Sequence, residues 1–413
     1  MLIRFSVENF RSFRERNVFS LEMVGSKKFS DTNAFHCEGL SPKEKLLKSA
    51  IIYGANASGK SNLVRAITTM KYIVLQGGIS GNAIQDLLEP FLLTEKNRQE
   101  PVVFEIEFIY NNRRYRYGFS CTNESIESEW LMEKRQRMRT LFIREKNTFT
   151  EKSSVFQELN AWNKVIENTH LSLSSEALFV STAAKMFDGG ICANVLDWFS
   201  QKLRVIVADD FESYYGNTLL ALKEGKNTHE IARLIQKADL GITNLIHKIE
   251  EKPTTEENGK PKRHFNAQIG TEHTINGRAY TLDMFRHESE GTKKIFALSS
   301  FLIDVLKTGK TLLIDELDAR LHPLLLKHMI ELFHDENLNG AQLIATSHSP
   351  SMLTENNFRR DQIWFMDKKA DGGSHLVSLA DFTHIRGNYH RIVQDYLRGC
   401  FGGVPYIQDL KVN

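Results

Sequence analysis

Apolar and polar side chains alternate from Leu2 to Phe10, the period of a strand with one buried face, and Val18-Phe19-Ser20-Leu21 predicts a second short strand. Ser26 to Lys48 is polar and reads as a loop. The apolar run Ser49-Ala50-Ile51-Ile52-Tyr53 predicts a buried strand, and Asn62-Leu63-Val64-Arg65-Ala66-Ile67 opens a helix, interrupted by the glycines between Gln76 and Asn82. Alternation returns in Val102–Tyr110, Arg113–Cys121, Glu127–Glu133 and Thr140–Arg144, with Asn111-Asn112 as a turn, so an antiparallel meander is expected. From about Ser154 to Thr228 the period turns helical, clearest in Ala177–Met186 and Cys192–Leu203. Glu250 to Arg263 reads as a solvated, mobile hairpin tip or linker. Further on, Ile295, Leu298, Leu302 and Val305 mark one face of a helix, and Thr311–Ile314 and Ala341–Ala345 are apolar strands. The pattern predicts an α/β fold: a mixed, largely parallel core sheet, an antiparallel β-subdomain and a helical lobe. Residues 1–153 and 281–413 are expected to be two parts of one unit, with the lobe at 154–280 between them. No heptad run or internal repeat is seen.

Composition narrows the class without naming it. The 413 residues carry a net charge of +2, which gives no global pull toward nucleic acid or membrane. Cys37, Cys121, Cys192 and Cys400 are scattered with no C-x-x-C spacing, so neither a zinc site nor a disulfide framework is expected, and a reducing cytosol fits. No apolar run approaches the ~20 residues that span a bilayer, and the N-terminus lacks the features of a signal peptide, so a cytoplasmic protein without a membrane partner is expected.

Chemistry concentrates at three strand ends and one helix start. Gly54-Ala55-Asn56-Ala57-Ser58-Gly59-Lys60-Ser61 has the spacing G-x-x-x-x-G-K-[ST] between a strand and a helix whose next residue is Asn62. Glycines let such a loop curl its N–H groups toward phosphate oxygens, Lys60 would reach the β- and γ-phosphates, and the Ser61 hydroxyl would ligate Mg²⁺. Asp315 ends a buried strand and could hold the same Mg²⁺, while Glu316 is placed to activate the attacking water. His348, at the tip of the next strand, could donate to a γ-phosphate or to that water. Ser289, ahead of Glu290 and Gly291, is a good N-cap whose hydroxyl and free N–H groups make an anion site. Arg11, Arg113, Arg114, Arg116, Lys134, Arg135, Arg137 and Arg139 are candidates for a nucleic-acid face, although solvated strand sides are the favoured reading.

With these residues in hand the chain resembles the ABC-type ATPases of the SMC, RecF and OLD group. Asn9-Phe10-Arg11-Ser12-Phe13 is similar to that group's N-terminal strand motif, Gly54–Ser61 to Walker A, and Asp315-Glu316 to Walker B. Ser289-Glu290-Gly291 looks like a reduced signature motif, Leu317-Asp318 like the D-loop and His348 like the switch histidine. Leu317–Pro323, Arg359–Phe365 and Tyr396–Pro405 are similar to compact bacterial ATPases of the RloA-like and abortive-infection AbiL-like groups. The resemblance implies an ABC-type ATPase head that binds ATP and Mg²⁺ and dimerises with itself. Ser289 and Gly291 would then complete the partner's site, and the cofactor set would be Gly54, Asn56, Ala57, Ser58, Gly59, Lys60, Ser61, Asn62, Ser289, Gly291 and Asp318. It also implies anti-phage defence through a separate effector, a nuclease or toxin; the alternative is a RecF-like DNA-binding repair ATPase. The group's glutamine loop is not evident, Gln85 being a weak candidate, and neither a long coiled coil nor a fused nuclease cluster is present in the sequence.

Overall fold

The computed structural model describes all residues except 82–86, 136, 170–171, 209–213, 239–240, 258–259, 351–352, 354–357, 383–388 and 405–413. In chain order the strands are β1 (Leu2–Glu8), β2 (Asn17–Ser20), β3 (Ala34–Phe35), β4 (Leu46–Leu47), β5 (Ser49–Tyr53), β6 (Val102–Tyr110), β7 (Arg113–Cys121), β8 (Ile126–Lys134) and β9 (Met138–Glu145). They continue with β10 (Thr148–Lys152), β11 (Leu203–Ile206), β12 (Ile242–Glu257), β13 (Lys260–Ile275), β14 (Arg278–Asp283), β15 (Thr311–Ile314), β16 (Gln342–Ser347), β17 (Ile363–Lys368) and β18 (Ser374–Ser378).

The core sheet runs β11-β15-β16-β5-β17-β18, parallel except for the final β17–β18 pair. Every residue of β5, β15 and β16 is buried, which is why these segments read as continuous apolar runs rather than as alternation. The meander closes a second, antiparallel sheet in the order β10-β9-β8-β7-β6-β1-β2. Between the two sheets lies the Lys60–Gln76 helix; its Leu63, Val64, Ile67, Met70 and Ile73 share one apolar cluster with Phe5 and Phe104 of one sheet and Ile52 and Ile344 of the other. The helices Glu290–Thr308 and Pro323–Asp335 cover the opposite face of the core sheet. The α/β class and the mixed sheet are as the sequence predicts.

Residues 154–280 do not pack as one helical lobe. The helices Gln157–Thr169 and Phe179–Met186 join the cluster of the antiparallel sheet through Leu159, Trp162 and Phe179. β11 then enters the core sheet as its edge; four residues, Leu-Arg-Val-Ile, are too short a run to separate from the preceding helix by periodicity. The helices Tyr215–Lys223 and Thr228–Ala238 pack with β12, β13 and the outer side of the Glu290 helix in a cluster of their own. The stretch read as a mobile tip or linker is paired strand on either side of 258–259, with Glu251 opposite Phe265 and Glu257 opposite Lys260. From Glu250 to His264 there is no apolar side chain other than proline, so no hydrophobic period could signal it.

Candidate functional site

Because β5, β15 and β16 are parallel, the residues that follow them emerge on one side of the sheet: Gly54 after β5, Asp315 after β15 and His348 after β16. At that end opens a cleft of about 490 Å³ walled by residues 56–62 with Ser12, Glu316, His348 and Lys368. The loop needs its glycines. Gly59 has φ +114°, and a Cβ there would collide with Ser374 Oγ; a Cβ on Gly54 would lie 2.5 Å from Met366 O. Ala57 also takes a left-handed φ, +62°, and the buried Ser58 Oγ makes no hydrogen bond.

Lys60 is 4% exposed, and its ammonium donates to Gly54 O at 2.7 Å and Ala55 O at 2.9 Å. Burial lowers its pKa to about 8, opposed by the nearby Asp315, Glu316 and Asp318 carboxylates. Nζ also lies 3.3 Å from His348 Nδ1. With Nδ1 accepting from an ammonium, the imidazole carries its proton on Nε2, which faces Glu316 Oε1 at 3.6 Å. Lys60, His348 and Glu316 thus stand in a row along the cleft.

Asp315 is buried behind that row, and its Oδ1 accepts from Thr346 Oγ1 at 2.5 Å. The same hydroxyl oxygen accepts the Glu316 N–H at 2.7 Å, so one threonine sets both acids. Glu316 itself is left-handed, φ +50°, a conformation a side chain rarely adopts without local support. Asp318 Oδ2 accepts the N–H groups of His348 at 3.0 Å and Ser349 at 2.9 Å, fixing the turn that carries the histidine, while its buried Oδ1 has no partner. Ser289 caps the Glu290 helix by accepting from Thr292 N at 3.1 Å. Neither Ser289 nor Gly291 lines this cleft. The donor set fits a magnesium nucleotide: a curled loop rich in N–H groups, a buried cation at its end, the Ser61 hydroxyl beside it and a buried carboxylate at Asp315.

Several neighbours of the site escaped the sequence reading. Ser12 Oγ accepts from Asn62 Nδ2 at 2.8 Å, and Ser374 joins the two walls by donating its N–H to Ser12 O at 2.6 Å and its hydroxyl to Ser58 O at 2.5 Å. Lys368 at the end of β17 had no local signal at all. Thr346 had one, a polar residue inside an apolar strand, as did Lys294, a cation next to Ile295 on the packed side of a helix. Gln85 lies outside the described residues.

Of the basic candidates in the meander and the N-terminal motif, all but the exposed Arg137 are paired with carboxylates. Arg114 is buried against Glu107 at 2.6 Å, with Glu22 and Glu44 beyond. The buried Glu133 pairs with Arg113, Arg135 and Arg139, Arg116 reaches Glu107, Lys134 reaches Glu44 and Arg11 reaches Glu89. Among the described residues no cluster of three His, Cys, Asp or Glu could hold a metal, and no helix is long and apolar enough to cross a membrane.

No curated protein matches the chain. Solved structures similar to it include an SMC head bound to the C-terminal winged-helix domain of ScpA, at 13% identity over 91% of this chain and 97% of that one, with a TM-score of 0.46. The SMC head domain from Thermotoga maritima matches at 13% identity over 91% and 98%, with a TM-score of 0.41. An SMC head with an extended coiled coil, bound to the C-terminal domain of ScpA derived from Pyrococcus furiosus, matches at 14% over 96% and 98%, with a TM-score of 0.44. The family model described as "AAA domain, putative AbiEii toxin, Type IV TA system" matches residues 49–354, a span that runs from the strand before the phosphate loop past His348. The chain belongs to that family and is an ATPase.

Proposed function

We propose that the cleft hydrolyses ATP with Glu316 as general base. The observation that carries this is the meeting of Lys60, Glu316 and His348 in one cleft, with Asp315 buried behind them. Lys60 leaves its loop carbonyls for the phosphates, Glu316 takes a proton from water in line with the γ-phosphate, and His348 Nε2 donates to the oxygen on which charge develops. Ser61 and Asp315 would hold Mg²⁺, which neutralises charge on the phosphates when bound. The nucleotide-binding set is residues 54 and 56–62, with Asp318 holding the His348 turn. Replacing Glu316 by Gln keeps the shape and removes the base, so turnover should fall about 10²- to 10³-fold with ATP still bound. Unchanged turnover would refute the assignment.

Ser289 and Gly291 stand on an exposed helix start away from their own cleft, and we assign them to the cleft of a second copy. Two ATP molecules would then be held between two chains, and hydrolysis would loosen the pair. On this reading the protein works in the cytoplasm as a sensor or scaffold for a separate toxin or nuclease in anti-phage defence. The toxin–antitoxin description of the family supports it. The internal pairing of the meander's arginines favours it over a RecF-like DNA-repair ATPase. Mass measurement of Glu316→Gln protein expressed with its genomic neighbours, in ATP and Mg²⁺, tests the reading. A dimer or higher multiple with a neighbour-encoded protein is expected, and a dimer carrying only DNA would favour repair.

A further inference from the structure

Lys294 is 4% exposed and sits one turn into the Glu290–Thr308 helix. Its ammonium donates to three carbonyl oxygens of a single turn, Glu316 O at 2.9 Å, Leu317 O at 3.0 Å and Ala319 O at 2.8 Å. Removing an ammonium from water is costly, and burial, helped by the nearby Arg320 guanidinium and opposed by the Asp318 and Glu316 carboxylates, leaves this one's pKa lowered to about 8. The helix could have packed on that turn with an aliphatic side chain; three aligned carbonyls explain why a cation is there instead.

The turn it grips is the one that needs holding. Glu316 is left-handed, and its N–H is already bound by Thr346 Oγ1. Lys294 takes the carbonyl at the other end of the same residue, so the Glu316 backbone is clamped on both sides. Two more contacts bring the start of the same helix against the end of the turn. Glu290 pairs with Arg320 at 2.8 Å, and a Cβ on Gly291 would lie 3.0 Å from Arg320 O. Lys294 itself does not line the nucleotide cleft.

We propose that Lys294 is a positioning residue for ATP hydrolysis: it fastens the Glu316 turn to the helix that begins at Ser289 and so holds the Glu316 carboxylate in its orientation over the cleft. This rests on Glu316 being the base. Misplacing a reacting group by about 1 Å costs on the order of 10²-fold in rate, so the effect belongs in kcat and not in nucleotide affinity.

The test compares Lys294→Met, Lys294→Arg, Glu316→Gln and the Lys294→Met/Glu316→Gln double variant, each read for kcat, ATP affinity and melting temperature. Lys294→Met should lower kcat about 10- to 100-fold and leave the ATP Kd within about threefold. Lys294→Arg, which keeps donors near the carbonyls, should recover most of the rate. In single-turnover assays the double variant should be no slower than Glu316→Gln alone, because a residue that acts through Glu316 has nothing further to remove. If Lys294→Met does not fold, Lys294→Gln is read in its place. Wild-type kcat in the neutral variant, equal loss of affinity and rate, or a multiplied loss in the double variant would each overturn the proposal. Unchanged turnover in Glu316→Gln would instead overturn the base assignment, which keeps the two failures apart.

Discussion

At the N-terminal ends of the core strands, buried polar side chains close on one another. Gln342 accepts from Leu2 N at 2.6 Å and Thr311 Oγ1 at 2.9 Å and donates to Leu2 O at 2.9 Å. Gln362 donates to Ser49 Oγ at 2.8 Å and accepts from Asn33 Nδ2 at 2.8 Å, and Ser49 Oγ meets His334 Nε2 at 2.8 Å. At the C-terminal ends of the same strands the polar groups are left with work to do. Ser58 Oγ and Asp318 Oδ1 are buried without partners, Ala57 and Glu316 are left-handed, and Lys60 binds the carbonyls of its own loop. A closed network spends its hydrogen bonds on joining β1 and the Pro323–Asp335 helix to the sheet. An open one keeps donors and strain in reserve for a ligand, at a cost in stability that the closed end offsets.

Lys60 separates the two ends most clearly. Lys60→Ala should lower ATP turnover about 10²- to 10³-fold through loss of the cation that meets developing phosphate charge. The same change should not lower the melting temperature, since it removes a cation whose burial is unfavourable. A variant that melts lower in proportion to its lost turnover would make Lys60 a structural residue like those at the closed end.

Gln342→Leu is the converse. It leaves the N–H and carbonyl of Leu2 and the Thr311 hydroxyl buried without their partner, which should cost about 2–4 kcal/mol of stability. Turnover per folded molecule should stay within about twofold, since nothing in the change reaches the cleft. Denaturant unfolding checks the first quantity and an assay normalised to folded protein the second.

The open end was the more legible of the two. Gly54–Ser61, Asp315-Glu316 and His348 announce themselves because phosphate chemistry needs fixed residue types at fixed spacings beside strand ends, and all of it is local in sequence. Lys368 was invisible because it reaches the cleft from the end of β17, more than 300 residues beyond the phosphate loop, and Ser12, although part of the N-terminal motif, gave no sign that it meets Asn62 and Ser374. The closed end could not be read at all: Gln342, Gln362 and His334 look like surface residues in one dimension, and only the sheet register buries them. The same holds for residues 250–264, the outer part of the β12–β13 hairpin, whose polar composition carries no period.

Two buried threonines differ only in which end they serve. Thr311 bonds Gln342 and Thr346 bonds Asp315, and both are fully buried. Each Thr→Val change should cost about 1–2 kcal/mol of stability, the larger loss falling on Thr346 because its partner is a carboxylate. Only Thr346→Val should also slow turnover, by about tenfold, since it frees the Glu316 N–H and lets the base drift. Equal turnover in the two variants would mean that the Glu316 turn is held by its other contacts alone.

The smallest effect is a dependence on acid that belongs to the closed end. Burial, and then the nearby Lys48 ammonium, lowers the His334 pKa from 6.5 to about 4. Its Nε2 meets Ser49 Oγ at 2.8 Å and Gln362 Nε2 at 3.3 Å, both groups that can donate to an unprotonated imidazole nitrogen. The folded pKa lies below the unfolded one, so as pH falls through 6.5 the unfolded chain gains a proton that the folded form refuses. Stability from this group is therefore full above pH 6.5 and lost progressively toward pH 4, at up to about 1.4 kcal/mol per pH unit, or about 1 kcal/mol between pH 6 and 5. Carboxylates titrate below that window and blur it, so the measurement is the difference between wild type and His334→Gln, whose amide oxygen can still accept from Ser49 and Gln362. The variant should lose about 1 kcal/mol less than wild type over that interval, while the turnover of folded protein follows the same pH profile in both. If the two chains lost stability in parallel, the imidazole would be exchanging protons with solvent in the folded state, and the N-terminal end of the sheet would be as open as the end that binds phosphate.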